Sequence, residues 1–283
     1  MTYHVLYNPL SNNKQGADSI EKVKPYIDGE IQAIDVREVT DFAGFFAGLG
    51  KQDDVVLCGG DGTLNHFVND IADVDIKNDV YLFPSGTGND FKADVAPNAE
   101  GLIKINDYIK NLPVVEVNGM KRRFINGIGY GIDGYCCEAG DEAAKKSDKP
   151  VNYAGIAVKG LLFYYKPANA TVTVDGETHE FKHVWLAPSM NGRYYGGGMQ
   201  VAPAQDRLAS PKTLSLVVWS GTGKITTLLR FKSIFKGEHI KYEKMIHTFT
   251  GKDIMVKFDR PTALQIDGET VRNVTEYTVH ANA

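Results

Sequence analysis

Hydrophobic residues in the first 110 or so positions follow two alternating spacings. Short apolar runs typical of β-strands occur at residues 3–7, 31–36, 54–58 and 80–83. Between them, apolar residues recur at the i, i+3, i+4, i+7 spacing of an amphipathic helix. This alternation predicts right-handed crossovers and a parallel sheet that helices cover on both faces, with ligands bound at the carboxyl ends of the strands. The two helical sets are Phe42, Phe45, Phe46 and Leu49, followed by Leu64, Phe67, Val68 and Ile71.

The pattern changes near residue 114. Segments 115–124 and 171–181 each place an Asn-Gly or Asp-Gly pair between alternating residues, which is a strong short-range signal for a β-hairpin. Helical spacing returns only at about 152–165 and 224–236. We therefore predict an α/β domain with a parallel sheet over residues 1–116, and a β-rich domain with an antiparallel sheet over residues 117–283.

Composition restricts the class of protein. The 283 residues are 43% hydrophobic and 23% charged, which is ordinary for a globular protein, and the net charge of -4 argues against a nucleic-acid partner. The three cysteines show neither the spacing of a disulfide framework nor that of a zinc motif, so we expect the protein to lie in a reducing cytoplasm. Because we find neither a secretory signal nor an apolar run of about 18 residues, any contact with a membrane is expected to be peripheral, at the inner face.

Three glycines surround Asp61 in the segment VVLCGGDGTLNHFV, residues 55–68. Glycines let a backbone approach a ligand closely, and the start of the following helix presents unpaired N–H groups and a partial positive charge. These features suit a phosphate group. Asp61 would repel a bare phosphate, so it suggests a bridging metal ion or a proton-accepting role, while a simple tight turn is the alternative.

Two further loops are predicted at the same edge of the sheet. The strand at 80–83 leads into PSGTGNDF, residues 84–91, which again places an aspartate, Asp90, at the start of a possible helix. The first strand leads into NPLSNNKQG, residues 8–16, whose Asn8, Ser11 and Lys14 can donate hydrogen bonds to phosphate oxygens. Three loops of this kind favour a nucleotide phosphate site.

The motifs GGDGTLN, PSGTGNDF, NGRYYGGGM (191–199) and LQIDGE (264–269), in this order, resemble the diacylglycerol kinase catalytic-domain family, which includes soluble bacterial lipid kinases. The resemblance covers nearly the whole chain. GGDGT alone is shared with NAD kinases, and phosphofructokinases have a similar loop, so the four motifs together carry the resemblance. It implies an ATP-binding α/β domain, a β-sandwich-like domain after it, an active site in the cleft between them, and a lipid substrate.

The resemblance also implies roles for single residues. Asp61 and Asp90, with Glu116 at a position where the family often has Asp, would organise Mg²⁺. Glu269 would accept the proton of the substrate hydroxyl, with Asp267 as the second choice, and Asp61 would act at the same catalytic centre. Residues implied to bind ATP are Asn8, Pro9, Leu10, Ser11, Asn12, Thr40, Gly60, Asp61, Gly62, Thr63, Leu64, Asn65, Gly86, Thr87 and Asn89.

Two motifs have competing interpretations. The triplet Asp-Gly-Glu also occurs at residues 175–177, inside a predicted type I′ hairpin, and local sequence does not separate Asp267 from Asp175. GYGIDG at 129–134 matches a dinucleotide-binding pattern, but we expect it to lack the required strand, turn and helix and to allow close packing instead.

The chain departs from the family after residue 204. The family usually carries two acids and a glycine there, associated with a structural Mg²⁺ site, whereas this chain reads QDRLASPKTLSL at 205–216. The resemblance therefore does not extend to that site. An NAD kinase and a nucleotide-binding regulator without turnover remain as alternatives to a lipid kinase.

Two segments could meet a lipid surface. Residues 224–244 carry six Lys or Arg, and Leu228, Phe231 and Phe235 recur there at helical spacing, which is typical of a basic amphipathic helix at an anionic membrane. Residues 154–167 are the second candidate, with apolar residues that could line an acyl pocket. A core-packing helix is the alternative for both segments, and a homodimer is also possible.

Overall fold

The computed structural model of the protein describes residues 1–11, 15–86, 88–146 and 151–281, so the predictions on Asn12, Lys14 and Thr87 lie outside the described residues. The chain divides into two compact units, Met1–Asn111 and Leu112–Ala283. Within the described ranges, no helix is long and apolar enough to cross a bilayer.

The first unit contains a five-stranded sheet in the order β2-β1-β3-β4-β5. The first four strands are parallel, as predicted, and β5 pairs antiparallel with β4 at the edge. The sequence pattern did not predict β5, because a strand of two residues is too short to show a periodicity. The strands are β1 Thr2–Tyr7, β2 Glu30–Asp35, β3 Asp54–Gly59, β4 Val80–Pro84 and β5 Ile103–Lys104.

Two of the helices that connect these strands, at residues 42–47 and 61–70, lie where the apolar spacing predicted them. Leu64, Phe67 and Val68 of the helix after β3 are fully buried, so the face that the periodicity marked is the face that packs on the sheet. The helices are α1 Asp18–Val23, α2 Phe42–Ala47, α3 Asp61–Asp70, α4 Asp90–Val95 and α5 Asn106–Ile109, with 3₁₀ turns at Lys24–Tyr26 and Val36–Glu38.

The second unit is built on antiparallel strands, which confirms the predicted change of pattern. The order is β13-β12-β11-β8-β14-β15-β6-β7, and β9 joins β14 to β10. The strand that contains residue 116 pairs with β7 and β15 of this unit. The strands are β6 Val114–Val117, β7 Met120–Arg123, β8 Gly127–Tyr130, β9 Ala168–Val174, β10 Glu177–Val184, β11 Ser189–Met190, β12 Leu214–Trp219, β13 Ile246–Gly251, β14 Asp253–Ile266 and β15 Glu269–His280.

Three Asx-Gly pairs turn the chain between neighbouring strands of the second unit. Each pair has positive φ at both residues, as a type I′ turn requires, and the first residue of the pair has φ of 49° at Asn118, 48° at Asp175 and 46° at Asp267. Asp267 therefore has the same backbone conformation as Asp175, the first residue of the other Asp-Gly-Glu triplet.

Two helical segments of the second unit lie close to the predicted positions 152–165 and 224–236, whereas the helix Ile132–Ala144 was not predicted. A π-helical turn and two 3₁₀ turns extend the short helices, which shows that the apolar patterns at 152–165 and 224–236 continue beyond the regular α-helices. These elements are α6 Ile132–Ala144, α7 Tyr153–Lys159, the π-helical turn Gly160–Tyr164, α8 Lys224–Phe231, and the 3₁₀ turns Lys232–Lys236 and Glu238–Lys241.

The prediction for GYGIDG was wrong in one respect. The segment does form a strand, a turn and a helix, since β8 ends at Tyr130, Gly131 has φ of 119°, and α6 begins at Ile132. The strand belongs to an antiparallel sheet, so the unit differs from a dinucleotide-binding one. Close packing is present as expected, because a Cβ on Gly131 would lie 2.4 Å from the carbonyl oxygen of Trp185.

The three cysteines are free thiols that lie in different environments. Cys58 is 1% exposed in the core beside β1, whereas Cys136 and Cys137 are half-buried in α6. Burial raises the pKa of each thiol to about 12. These thiols are therefore poor nucleophiles in the folded protein.

Candidate functional site

The loops after β3 and β4 meet at the carboxyl edge of the parallel sheet, as the sequence predicted. The amide of Asp61 donates to the carbonyl of Gly88 at 3.0 Å, and the amide of Ser85 donates to the carbonyl of Gly59 at 3.1 Å. A Cβ on Gly60 would lie 2.5 Å from the Gly88 oxygen, and a Cβ on Gly86 would lie 2.5 Å from the Gly60 Cα. Glycine is required at both positions because the two backbones are in direct contact.

Asp61 joins the two loops through its side chain. Its Oδ2 accepts a hydrogen bond from the amide of Asp90 at 2.7 Å, and its Oδ1 accepts one from the amide of Phe91 at 2.9 Å. Asp61 is the first residue of α3, and Asp90 is the first residue of α4. The carboxylate therefore caps one helix while it begins the other, a role that the sequence patterns did not reveal.

The start of α3 leaves a polar surface available beside this junction. Gly62 is exposed, and a Cβ built on it would meet no atom within 4 Å. Amides in the first turn of a helix have no acceptor within the helix and carry a partial positive charge. The backbone at Gly62 and Thr63 can therefore bind an anion, whereas Leu64 and Asn65 are buried and support the helix from inside.

The loop after β1 forms a compact turn. The Oδ1 of Asn8 accepts the amide of Leu10 at 2.9 Å, and the carbonyl of Asn8 accepts the Ser11 hydroxyl at 2.8 Å. Pro9 lies within this turn, and Leu10 is largely exposed. The predicted donor Ser11 is therefore used within the loop itself, where Asn8 acts as an acceptor, and the turn holds the exposed apolar residue at its tip.

Two other residues implied to bind the nucleotide have different surroundings. The side-chain amide of Asn89 donates to the carbonyl of Gly86 at 2.7 Å and closes the second glycine loop. Thr40 is exposed between the turn Val36–Glu38 and α2. The structure thus brings Asn89 into the loop junction and leaves Thr40 at the surface.

Oxygen ligands for a metal ion are available at the loop junction. Each oxygen of the Asp61 carboxylate accepts one backbone amide, and Asp90, which supplies one of these amides, is itself a buried acid. Mg²⁺ is typically held by one or two carboxylates together with phosphate oxygens, so this donor set fits it. Glu116 belongs to the second unit, where it is exposed and pairs with Lys121 at 3.3 Å across the β6–β7 hairpin.

The acids of the second unit have contrasting partners. The carboxylate of Asp267 accepts three backbone amides, from Ile125 at 2.6 Å, Asn126 at 2.8 Å and Gly127 at 2.9 Å. Asp175, in the other Asp-Gly-Glu triplet, likewise accepts hydrogen bonds from the backbone amides of Lys252 and Asp253, at 2.8 Å each. Both aspartates therefore fix a neighbouring piece of backbone.

Glu269 makes a different contact. Its Oε2 forms a hydrogen-bonded ion pair with Nη1 of Arg122, a residue of β7 that the sequence patterns did not single out. The glutamate side chain is 36% exposed and that of Arg122 is 18% exposed. Glu269 is thus an oriented carboxylate on a partly exposed side chain, with its Oε1 buried and its Oε2 held by Arg122.

The motif NGRYYGGGM supports the same backbone that Asp267 fixes. Asn191 donates its side-chain amide to the Ile125 carbonyl at 2.8 Å, and the Asn126 carbonyl accepts the backbone amides of Asn191 and Gly192 at 2.9 Å each. Buried Arg207 donates to the same Ile125 carbonyl at 2.9 Å. The NGRYYGGGM motif and the LQIDGE motif, which are far apart in sequence, therefore both hydrogen-bond to the backbone at the start of β8.

Further along this motif, Tyr195 donates its hydroxyl hydrogen to Oδ2 of Asp133 at 2.6 Å. Burial raises the pKa of Asp133 to about 6, although the hydrogen bond from Tyr195 opposes the shift. The GYGIDG segment and the NGRYYGGGM segment thus share a buried acid–phenol pair.

The stretch that departs from the family does not fit a metal site. Lys212 donates to the carbonyl of Arg207 at 3.2 Å, and burial, followed by the neighbouring guanidinium of Arg207, lowers the pKa of Lys212 to about 8. In the part of the chain that the structure describes, no group of three or more His, Cys, Asp or Glu could hold a metal ion. Two cationic side chains lie where the family is associated with a cation.

Family models match both parts of the chain. Residues 2–115 match the diacylglycerol kinase catalytic domain, and residues 126–280 match the YegS C-terminal NAD kinase beta sandwich-like domain. The chain belongs to the diacylglycerol kinase catalytic-domain family, which confirms the resemblance and the expected order of an α/β part and a β-sandwich-like part.

Similar proteins carry lipid kinase names. "Putative lipid kinase YtlR" of Bacillus subtilis is 27% identical over 238 residues, which cover 76% of this chain and 73% of that protein. A diacylglycerol kinase of Bacillus subtilis is 24% identical over 79% of this chain and 73% of its own length. The crystal structure of "a putative diacylglycerol kinase from Bacillus anthracis str. Sterne" superposes with a TM-score of 0.67 at 21% identity, covering 99% of this chain and 91% of that one, and it shows the shared fold.

Proposed function

We propose that the protein is an ATP-dependent lipid kinase that transfers the γ-phosphoryl group to a lipid hydroxyl, with diacylglycerol or a related glycerolipid as the acceptor. The observation that carries the proposal is the junction of the two glycine loops. There Asp61 joins the starts of α3 and α4, and the uncovered backbone at Gly62 offers amide donors. Membership of a kinase family supports the same reaction class.

In this proposal, the first unit binds the triphosphate. Backbone amides at the start of α3 bind phosphate oxygens, and Asp61 and Asp90 hold Mg²⁺, which neutralises charge on the phosphates when bound. Phosphoryl transfer depends mainly on positioning and charge neutralisation, because its transition state is loose. The fixed geometry of the loop junction is therefore expected to contribute more than any single proton acceptor.

The acceptor hydroxyl needs a group that takes its proton. Its oxygen forms the new bond to the γ-phosphorus, the bond from that phosphorus to the bridging oxygen breaks, and ADP leaves. We propose Glu269 as the proton acceptor and Arg122 as the residue that positions it, because the Asp267 carboxylate is already engaged by three amides. Asp267 is proposed to position the backbone at 125–127 instead.

Turnover of purified protein with radiolabelled ATP and Mg²⁺ tests the proposal. Dispersed diacylglycerol, phosphatidylglycerol, a sphingoid base and NAD are offered separately, and products are resolved by chromatography. We expect label on a glycerolipid, and near-complete loss of it in Asp61→Ala, with exposed Asp75→Ala as the control. Label on NAD would identify an NAD kinase instead, and ATP binding without any labelled product would identify a regulator.

A further inference from the structure

Most of the large apolar side chains that are exposed to solvent lie in two segments of the second unit, residues 151–167 and 222–245. Of the 13 such side chains in the described part of the chain, eight lie in these segments. The most exposed are Phe163 at 70%, Tyr164 at 67%, Ile225 at 70% and Leu229 at 74%. Contiguous exposed apolar residues mark a binding surface more often than isolated ones do.

The structure decides between the two interpretations that the sequence left open for most of the apolar face of α8. Leu228 and Phe231 pack against the buried cluster that contains Trp185 and Ile234, so the core-packing alternative holds for them. Ile225 and Leu229 are four residues apart and share a different, solvent-facing side. The helix is therefore apolar on two sides, and only one side is needed for the fold.

The two segments form one surface. The Nζ of Lys224, at the start of α8, donates to the carbonyl of Leu162 in the π-helical turn at 2.9 Å, and the two elements pack against each other. Phe163 and Tyr164 follow Leu162 directly and project into solvent. We call these four side chains, Phe163, Tyr164, Ile225 and Leu229, the apolar patch.

The stretches that carry the apolar patch are basic. Residues 151–167 and 222–236 contain no acidic residue, whereas Glu238 and Glu243 follow later in the second segment and the whole chain has a net charge of -4. Lys159, Lys166, Lys232 and Lys236 form no ion pair with any acid among the described residues. The cations of residues 151–167 and 222–236 are Lys159, Lys166, Lys224, Arg230, Lys232 and Lys236.

We propose that the apolar patch and its surrounding lysines dock the protein on the surface of an anionic bilayer. Aromatic and branched aliphatic side chains enter the boundary between headgroups and acyl chains, while lysines keep their amines at the lipid phosphates. An anionic bilayer matches both the apolar centre and the lysines beside it that form no ion pair, whereas a neutral protein surface would match only the first. The inference rests on the proposed function in that a lipid kinase must reach a lipid in a membrane.

Binding of the full chain to vesicles tests the docking surface without any need for turnover. We expect wild-type protein to co-sediment with vesicles of phosphatidylcholine that contain about one third phosphatidylglycerol, and binding to fall as NaCl rises. Phe163→Ser with Leu229→Ser should lower the partition coefficient at least tenfold. Lys232→Gln and Lys236→Gln should each lower it about fivefold on anionic vesicles only, since one cation near such a surface contributes about 1 kcal/mol.

Matched controls separate this surface from general effects. Leu208→Ser removes another exposed apolar side chain, and Lys252→Gln removes another exposed charge of the same unit, so neither should change binding. Because Trp185 and Trp219 are almost fully buried, Phe163→Trp adds a probe whose emission should shift to the blue and be quenched by brominated lipid. Leu208→Trp should show neither change.

Other outcomes would overturn the proposal. Unchanged vesicle binding in the folded Phe163→Ser, Leu229→Ser variant would remove the docking surface while leaving the kinase proposal intact. A shift from dimer to monomer in that variant, measured by light scattering, would assign the patch to a second copy of the chain instead. Conversely, normal vesicle binding without phosphorylation of a dispersed short-chain diacylglycerol would contradict the kinase proposal alone.

Discussion

Asp267 and Asp175 occupy equivalent turns, and their partners now allow their roles to be compared with that of Glu269. Each aspartate accepts backbone amides, three for Asp267 and two for Asp175, whereas Glu269 is oriented by an arginine and remains partly exposed. Hydrogen bonds to a charged acceptor contribute about 1.5–3 kcal/mol each. The two aspartates are therefore expected to matter for stability, and the glutamate for chemistry.

We expect Asp267→Ala and Asp175→Ala each to lower the free energy of unfolding by several kcal/mol. At a temperature where it stays folded, the Asp175→Ala variant should have unchanged turnover. Glu269→Gln should retain the free energy of unfolding within about 1 kcal/mol, because its ion pair is partly exposed, and lose roughly 10²–10⁴ in kcat. Denaturant titrations and single-turnover assays of the three variants measure both quantities. Full kcat in Glu269→Gln would contradict the proposed role of this residue as proton acceptor.

Asp133 makes stability depend on pH. Burial raises its pKa in the native state to about 6, above the value of about 3.9 in an unfolded chain, so the native state binds more protons between these values. The contribution of Asp133 to stability is therefore favourable at low pH and is lost as pH rises through about 6. Asp133→Asn cannot titrate but can still accept the hydrogen bond from Tyr195.

The difference in unfolding free energy between wild type and Asp133→Asn should thus shift in favour of wild type as pH falls from 7.5 to 4.5. The slope should approach about 1 kcal/mol per pH unit between the two pKa values. Urea denaturation of both proteins at several pH values measures it. A constant difference across this range would show that Asp133 is ionised normally in the folded protein.

At the scale of elements, the two glycine loops act as one piece because their backbones touch at Gly60 and Gly86 and Asp61 joins their helices. Gly60→Ala would force its Cβ against the Gly88 carbonyl, which costs about 1–3 kcal/mol when backbones cannot separate. Gly62 has open space around it and needs no special backbone conformation. Replacing each of these two glycines by alanine is therefore predicted to affect stability and nucleotide binding differently.

We expect Gly62→Ala to be as stable as wild type or more stable by about 0.5–1 kcal/mol, since alanine favours a helix. Its added methyl group should nevertheless weaken nucleotide binding at least tenfold if phosphate oxygens approach this backbone. Gly60→Ala should lose both stability and binding. Thermal unfolding and titration with a fluorescent ATP analogue distinguish the two, and unaltered affinity in Gly62→Ala would exclude this helix start as the phosphate site.

Elements with a clear period were predictable, and contacts between elements were not. The strands around Asp61 and Asp90 followed from apolar runs, and their shared edge followed from parallel topology. The carboxylate bonds of Asp61 join residues about 30 positions apart, so no local pattern encodes them. For the same reason, the sequence left open whether Leu228 meets a membrane or the core, and the structure packs that side of the helix against the core.

At the scale of the whole molecule, the two units have separate hydrophobic clusters and carry different motifs. The glycine loops proposed to bind ATP all belong to the first unit. Ligand binding stabilises the state that binds and suppresses its opening. Nucleotide should therefore protect the two units unequally.

We expect ATP with Mg²⁺ to slow amide hydrogen exchange most strongly at residues 59–65 and 88–91, by at least tenfold, because bound phosphates cover these amides and hold the loop junction closed. Mass spectrometry of peptides from the full chain measures this, with AMP as a weaker ligand for comparison. Equal protection of peptides from both units, or protection only beyond residue 112, would place the nucleotide elsewhere.

The three thiols described above can serve as probes of transient opening in each unit. Cys58 lies in the first unit and Cys136 and Cys137 lie in the second, and all three are protonated near neutral pH while folded. An alkylating reagent can therefore modify the buried Cys58 appreciably only during a transient opening of the first unit, and it modifies the half-buried Cys136 and Cys137 faster when the second unit opens. The rate at which each sulfur is modified would follow the two units separately, on one unaltered molecule and without any introduced label.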